Sequence, residues 1–112
     1  MSDIRVGVLG IGSMGRHHVR NARETEGFEL VALADPSGDR FDVARGMEVL
    51  PGVEQMLEVG IDAAVVAVPT AYHFEAVMKL AEAGVHTLVE KPLASTLEEG
   101  EAMVKAFDEA GV

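Results

Sequence analysis

Ile4-Arg5-Val6-Gly7-Val8-Leu9-Gly10-Ile11-Gly12-Ser13-Met14-Gly15 decides the fold. An apolar run of strand length, Ile4–Leu9, passes without a spacer into glycines at the G-x-G-x-x-G spacing, and a segment of helical period, Gly12–Glu24, follows. Alone, that spacing arises often by chance; between a strand and a helix it has a physical reason. Gly10 permits the tight turn, Gly12 lets a pyrophosphate approach the backbone, and Gly15 lets helix and strand pack closely. The free N–H groups and the positive dipole end of the helix then face the phosphates. Gly10, Ile11, Gly12, Ser13, Met14 and Gly15 are therefore candidate cofactor-binding residues.

Asp35 is a second, independent mark, because it closes the next apolar run 20 residues after Gly15. A carboxylate at that place can accept hydrogen bonds from an adenosine ribose. A 2′-phosphate beside it would be repelled by roughly 4 kcal/mol per unit-charge pair at about 4 Å and an effective dielectric near 20, so NAD is the expected cofactor and NADP the lesser one. Ser37 and Arg40 follow closely enough to receive a 2′-phosphate if the Asp35 side chain turned away. Arg40 is equally placed to stack on adenine or to stand as a solvated loop charge, and it joins the candidate cofactor contacts.

Outward from this unit, Leu30–Ala34, Ala63–Val68 and His86–Val89 are short, nearly continuous apolar runs, as expected of central parallel strands covered on both faces. Met47–Leu50 is a weaker run, cut off by Pro51-Gly52, and suits an edge. Helical segments alternate with these runs. Val53–Val59 is short; Tyr72–Ala83 carries Phe74, Val77, Met78 and Ala81 on one face and stops at Gly84. Thr96–Ala110 opens with Thr96 and Glu99 in a capping-box spacing, presents Met103, Val104 and Phe107 as its buried stripe and stops at Gly111. The expected fold is α/β, a Rossmann-like doubly wound and mostly parallel sheet of about five strands. Val112 reads as the first residue of a sixth strand. A sheet stopping before that strand leaves an edge that invites pairing, so a homodimer is expected.

Composition narrows the function. With 112 residues and 48% apolar content the chain makes one domain with one core. Nine Lys and Arg against 19 Asp and Glu give a net charge of −10, and no basic stretch offers a footprint for nucleic acid or an anionic membrane. Small molecules or proteins are the expected partners. The absence of cysteine excludes disulfides, thiolate metal sites and a Cys nucleophile, and no metal site is expected. The opening residues lack a basic leader and Ala63–Val68 is far shorter than the ~18 apolar residues of a spanning helix, so a cytoplasmic location is expected.

Two further segments carry chemistry. Ala63–Val68 runs into Pro69-Thr70-Ala71-Tyr72-His73, and His86–Val89 runs into Glu90-Lys91-Pro92. Ligands of doubly wound sheets sit beyond the carboxyl ends of the strands, so both segments are expected to border the crevice of the glycine loop. Thr70 suits either a cap for the following helix or a bond to a cofactor phosphate or amide. His73 suits either a solvent-facing place in the first helical turn or a place beside the cofactor. Lys91 is the sharpest candidate for catalysis. Next to a nicotinamide, its ammonium can carry a proton, or stabilise alkoxide charge, at a substrate oxygen. Glu90 alternates to the other face and is placed to orient its neighbours.

Gly-Ile-Gly-Ser-Met-Gly-Arg-His-His (Gly10–His18), Ala-Asp-Pro (Ala34–Pro36), Val-Pro-Thr-Ala-Tyr-His (Val68–His73) and Ala-Gly-Val-His-Thr-Leu-Val-Glu-Lys-Pro-Leu (Ala83–Leu93) together resemble the Gfo/Idh/MocA oxidoreductases, a family that includes glucose-fructose oxidoreductase and inositol dehydrogenase. The resemblance spans almost the whole chain. It implies an NAD(P)-binding Rossmann domain over residues 1–112, with sugars, cyclitols or their derivatives as substrates. It also implies that Lys91 assists proton transfer at the substrate carbinol, and that Pro69, Thr70, His73 and Glu90 border the cofactor.

Two departures stand out. The stretch from Asp35 to Ala63 is several residues shorter than usual in the family, with a crossover near the minimum of about ten to twelve residues, which alters the adenine side. Family members also continue into a second α/β domain that carries substrate contacts and a catalytic His. His17, His18 and His86 do not replace that base, and structural roles are expected for them. A rival reading is a non-catalytic dinucleotide-binding or sensor module acting with a partner chain. The Glu90-Lys91-Pro92 block argues against pure sensing.

Overall fold

The computed structural model describes residues 3–112. Five parallel strands, β1 (Ile4–Leu9), β2 (Phe28–Ala34), β3 (Val49–Leu50), β4 (Ala63–Val66) and β5 (His86–Val89), form one sheet in the order β3-β2-β1-β4-β5. Helices α1 (Gly15–Glu24), α2 (Val53–Val59), α3 (His73–Glu82) and α4 (Leu97–Ala110) join or follow them, α3 being preceded by a 3-10 turn over Thr70–Tyr72. β1 to β2 and β4 to β5 run in opposite directions across the sheet. Right-handed crossovers therefore put α1 and α3 on opposite faces.

Alternation along the strands divides the core accordingly. Val8, Ile11 and Leu33 pack with Val19 of α1 on one face. Leu9, Ala64 and Val66 pack with Met56, Val77, Leu80 and Met103 of α2, α3 and α4 on the other. No helix bridges β2 and β3. Val43 and Met47, half-buried, and buried Ala44 close that face from irregular backbone. Asp39 organises this connection: its carboxylate accepts the N–H groups of Val43 and Ala44, each at 2.9 Å. Those bonds hold its carboxyl below the ordinary range. The stability they lend is present above the unfolded pKa and lost as pH falls through the lower folded value. Within this connection Asp42 and Arg45 adopt the left-handed region, with φ of 54° and 48°.

Several expectations shift. α1 begins at Gly15 rather than Gly12, because residues 12–14 make the turn. β2 starts two residues early at Phe28, β4 ends at Val66 rather than Val68, and the weak edge strand shrinks to Val49–Leu50. β5 is an edge strand rather than a central one. Its faces are unequally covered: Val89 packs on the core, while Leu88 is 55% exposed because α1 lies over β1 and β2. On α4, Met103 is buried and Phe107 half-buried, but Val104 is 55% exposed, since α4 packs chiefly on α3. Thr96 does cap α4, accepting the Glu99 N–H at 3.1 Å.

This packing separates two substitutions of similar chemistry. Leu80→Ala empties a fully buried position and should cost about 2–5 kcal/mol in urea unfolding, whereas Val104→Ala should stay within about 0.5 kcal/mol. Equal losses at the two positions would contradict the assignment of the core.

Candidate cofactor-binding site

The loops carrying the candidate residues leave the sheet at one level. Gly10 N–H donates to Ala34 O at 2.7 Å, Ala67 N–H to Leu9 O at 2.8 Å, Glu90 N–H to Val66 O at 3.0 Å and Asp35 N–H to Leu50 O at 2.9 Å. Each is a parallel ladder bond carried one residue past the strands, so the first residue of each loop is fixed before it turns away. The loops converge on a cleft of about 710 Å³. It lies where the chain leaves β1 and β4 in opposite directions, the place at which doubly wound sheets bind ligands.

The three glycines of the loop are glycines for three different reasons. Gly10 has φ +92°, and a Cβ there would stand 2.7 Å from the Ala67–Val68 backbone. At Gly15 a Cβ would fall 1.7 Å from Gly10 O, so the helix could not start so close to the strand end. At Gly12 it would meet only the Arg40 guanidinium, the far end of a flexible side chain, at 2.8 Å. Gly12 thus gives the cleft its floor, while Gly10 and Gly15 hold the loop itself together. The N–H groups of Gly12, Ser13 and Met14 have no acceptor among the described residues, and all three residues line the cleft. Unpaired N–H groups at a helix start suit a phosphate. Ile11 contributes differently: its side chain is fully buried and its N–H is given to Asp35 Oδ2 at 3.0 Å.

Asp35 also accepts the Ser37 N–H on Oδ1 at 2.8 Å, so its half-buried carboxylate is held at the rim by two backbone donors. Arg40 reaches back from the irregular connection to lie over Gly12, its guanidinium 6.0 Å from the Phe41 ring centre. On the opposite rim Pro69, Glu90 and Lys91 line the cleft. Thr70 does not line it, nor does it cap α3, whose N-cap is Tyr72 with no side-chain bond. The solvent-facing alternative for His73 is excluded. Only 1% exposed, its ring lies between two carbonyls, Nε2 at 2.8 Å from Val68 O and Nδ1 at 3.1 Å from Leu93 O.

Sequence reasoning passed over the start of α2 and the outer face of α3. Gly52, Val53, Glu54, Tyr72, Glu75 and Lys79 all line the cleft. The signal was available for the first three, which follow the carboxyl end of β3 by the same rule that placed the other loops. Lys79 hydrogen-bonds Glu54 and lies 3.3 Å from Glu75. Its hydrogen bond holds the Glu54 carboxyl below the usual carboxylate range, and Glu54, then Glu75, raise the Lys79 ammonium. Also unforeseen is the pairing of His18 on α1 with Glu90 past the end of β5.

Comparison with known proteins agrees with this geometry. Residues 4–112 match the Gfo/Idh/MocA family model, described as an oxidoreductase family with an NAD-binding Rossmann fold. The chain is 37% identical to scyllo-inositol 2-dehydrogenase (NAD(+)) of Bacillus subtilis (strain 168), over 98% of this chain and 34% of that protein. It is similar to the WlbA dehydrogenase from Bordetella pertussis solved in complex with NADH and UDP-GlcNAcA, at 35% identity and a TM-score of 0.85 over 98% of this chain and 36% of that one. It is also similar to GenD2 from gentamicin A biosynthesis, solved in complex with NAD, at 28% identity and a TM-score of 0.90 over 100% of this chain and 33% of that one. The chain therefore spans about a third of the length of these relatives.

The contrast between the glycines is testable. Gly12→Ala should keep the melting temperature of the parent while weakening NADH binding about tenfold or more, and Gly15→Ala should lower the melting temperature itself. Melting scans and NADH titration of both variants decide this; a stable Gly15→Ala chain with parental affinity would contradict it.

Proposed function

The chain belongs to the Gfo/Idh/MocA oxidoreductases and is an NAD-binding Rossmann domain of that family, and from that premise we propose how its residues divide the work. The pyrophosphate takes the free N–H groups of Gly12, Ser13 and Met14 over the floor that Gly12 leaves open. The adenosine ribose takes Asp35, with Arg40 moving off Gly12 to cover the phosphates or the adenine. The nicotinamide end lies toward Pro69, Glu90 and Lys91. When bound, NAD accepts or returns a hydride at its nicotinamide ring. Lys91 holds the accompanying proton on Nζ and exchanges it with a substrate oxygen. His73 lines the same cleft and joins the turn after β4 to the Leu93 segment.

One observation carries this proposal: the glycine loop, Asp35 and Glu90-Lys91 leave strands of one parallel sheet at one level and border a single cleft. A cyclitol, sugar or related hydroxyl compound is the proposed substrate, in keeping with the named activities of the relatives. Groups that grip the substrate's far side are proposed to come from outside these 112 residues, because the matched relatives are about three times as long. The open edge of β5 supports pairing between copies as a homodimer. No helix among the described residues is long and apolar enough to cross a membrane. A cytoplasmic place is proposed on the use of a free dinucleotide.

Preference for NAD over NADP rests on the Asp35 carboxylate, which offers acceptors to a ribose diol and repels a 2′-phosphate. Calorimetric titration should find NADH bound at least about tenfold more tightly than NADPH, with Asp35→Ser narrowing the gap chiefly by weakening NADH. Equal or tighter NADPH binding would remove Asp35 from this role, and no binding of either would remove the cofactor assignment from this cleft.

A further inference from the structure

Lys91 stands in a segment with little to hold it. The last ladder bond is Glu90 N–H to Val66 O at 3.0 Å, and Lys91, Pro92 and Leu93 are all exposed. No side chain among the described residues hydrogen-bonds or ion-pairs with Lys91 itself. Yet a proton-transfer group must be placed closely, since misplacement by about 1 Å can cost two orders of magnitude in rate.

Two histidines flank the segment. Downstream, His73 lies against Leu93 O and Val68 O and ties the segment to the turn after β4. Upstream, His18 Nε2 meets Glu90 Oε1, the two side chains being only 22% and 26% exposed. His18 comes from α1, the helix whose first turn forms the candidate phosphate site, and it lies 72 residues from Glu90 in sequence. A single side-chain pair thus spans from the phosphate end of the cleft to the Lys91 segment.

We propose that His18 is a positioning residue: through Glu90 it fixes the backbone leading into Lys91 and so sets the distance between the phosphate site and the Lys91 ammonium. His18 Nε2–H donates to the Glu90 carboxylate, a charge-assisted bond that offsets the partial loss of water around both groups. Glu90 then acts on Lys91 through the chain rather than by contact. This inference rests on the reading that places Lys91 beside the nicotinamide, and its test separates the two.

The chain has three lysines, Lys79, Lys91 and Lys105, so reductive methylation with ¹³C-formaldehyde gives three lysine signals, apart from that of the N-terminal amine, that Lys→Arg substitutions can assign. In the parent chain NAD⁺ should move the Lys91 signal and leave that of Lys105, which is exposed on α4, in place. In His18→Leu and in Glu90→Ala the Lys91 response should fall to about a third or less, and the double variant should lose no more than either single one, as for partners in one interaction. His18→Gln, whose amide N–H can occupy the place of Nε2–H, should recover the response; a role in mere packing would be served as well by Leu. A Lys91 response of parental size in the single variants would overturn the inference. Should His18→Leu fail to fold, Glu90→Ala at its partly exposed position decides alone. If NAD⁺ binds the parent without moving the Lys91 signal, the placement of Lys91 falls, and this inference with it.

Discussion

The distance between Gly15 and the Gly10 carbonyl is the constraint on which the rest of the molecule depends. No side chain fits between them, and so α1 can begin within a few residues of the end of β1, aiming its unpaired N–H groups into the cleft rather than past it. The close start also seats Val19 against Val8 and Leu33 and brings His18 within reach of Glu90. The packing of α1, the placement of the unpaired N–H groups and the His18–Glu90 contact are therefore consequences of one steric fact.

Electrostatics works locally in this chain and against it globally. A net charge of −10 repels an anionic dinucleotide, so attraction must come from groups at the cleft: the N–H groups of the glycine loop, the Arg40 guanidinium and the Lys91 ammonium. Lys79 also lines the cleft, but Glu54 and Glu75 already neutralise it. This arrangement favours short-range, geometric recognition. In the proposed binding mode, oriented backbone dipoles and the fixed Asp35 carboxylate would select the ligand where a broad positive field would not.

What the sequence made legible was whatever a short stretch determines. The continuous run Ile4–Leu9, the glycine spacing behind it and the Thr96-to-Glu99 cap each follow from residues within a few positions of one another, and all appear where expected. The mostly parallel, doubly wound sheet followed from the alternation of apolar runs with helices, and the shared border of the carboxyl ends followed from that kind of sheet. The hidden features depend on residues far apart. His18 and Glu90 are 72 positions apart, and nothing in either neighbourhood announces the other. His73 occurs in a polar-looking turn, but the return of the chain at Leu93 buries it. Val104 fits the helical stripe of α4 by period alone, and its exposure reflects that α4 packs chiefly on α3. The edge position of β5 was equally invisible, because its composition is that of a central strand.

The dinucleotide is proposed to lie across the carboxyl edge of the sheet, over Gly12, between Asp35 and Lys91. Amide chemical-shift mapping of the ¹⁵N-labelled chain during titration with NAD⁺ tests it most directly. The largest shifts are expected at Gly10–Gly15, Asp35, Ser37 and Glu90-Lys91, with α4 silent. Shifts confined instead to the arginine-lined groove between α1 and residues 41–45, or an unperturbed glycine loop at saturating NAD⁺, would contradict it.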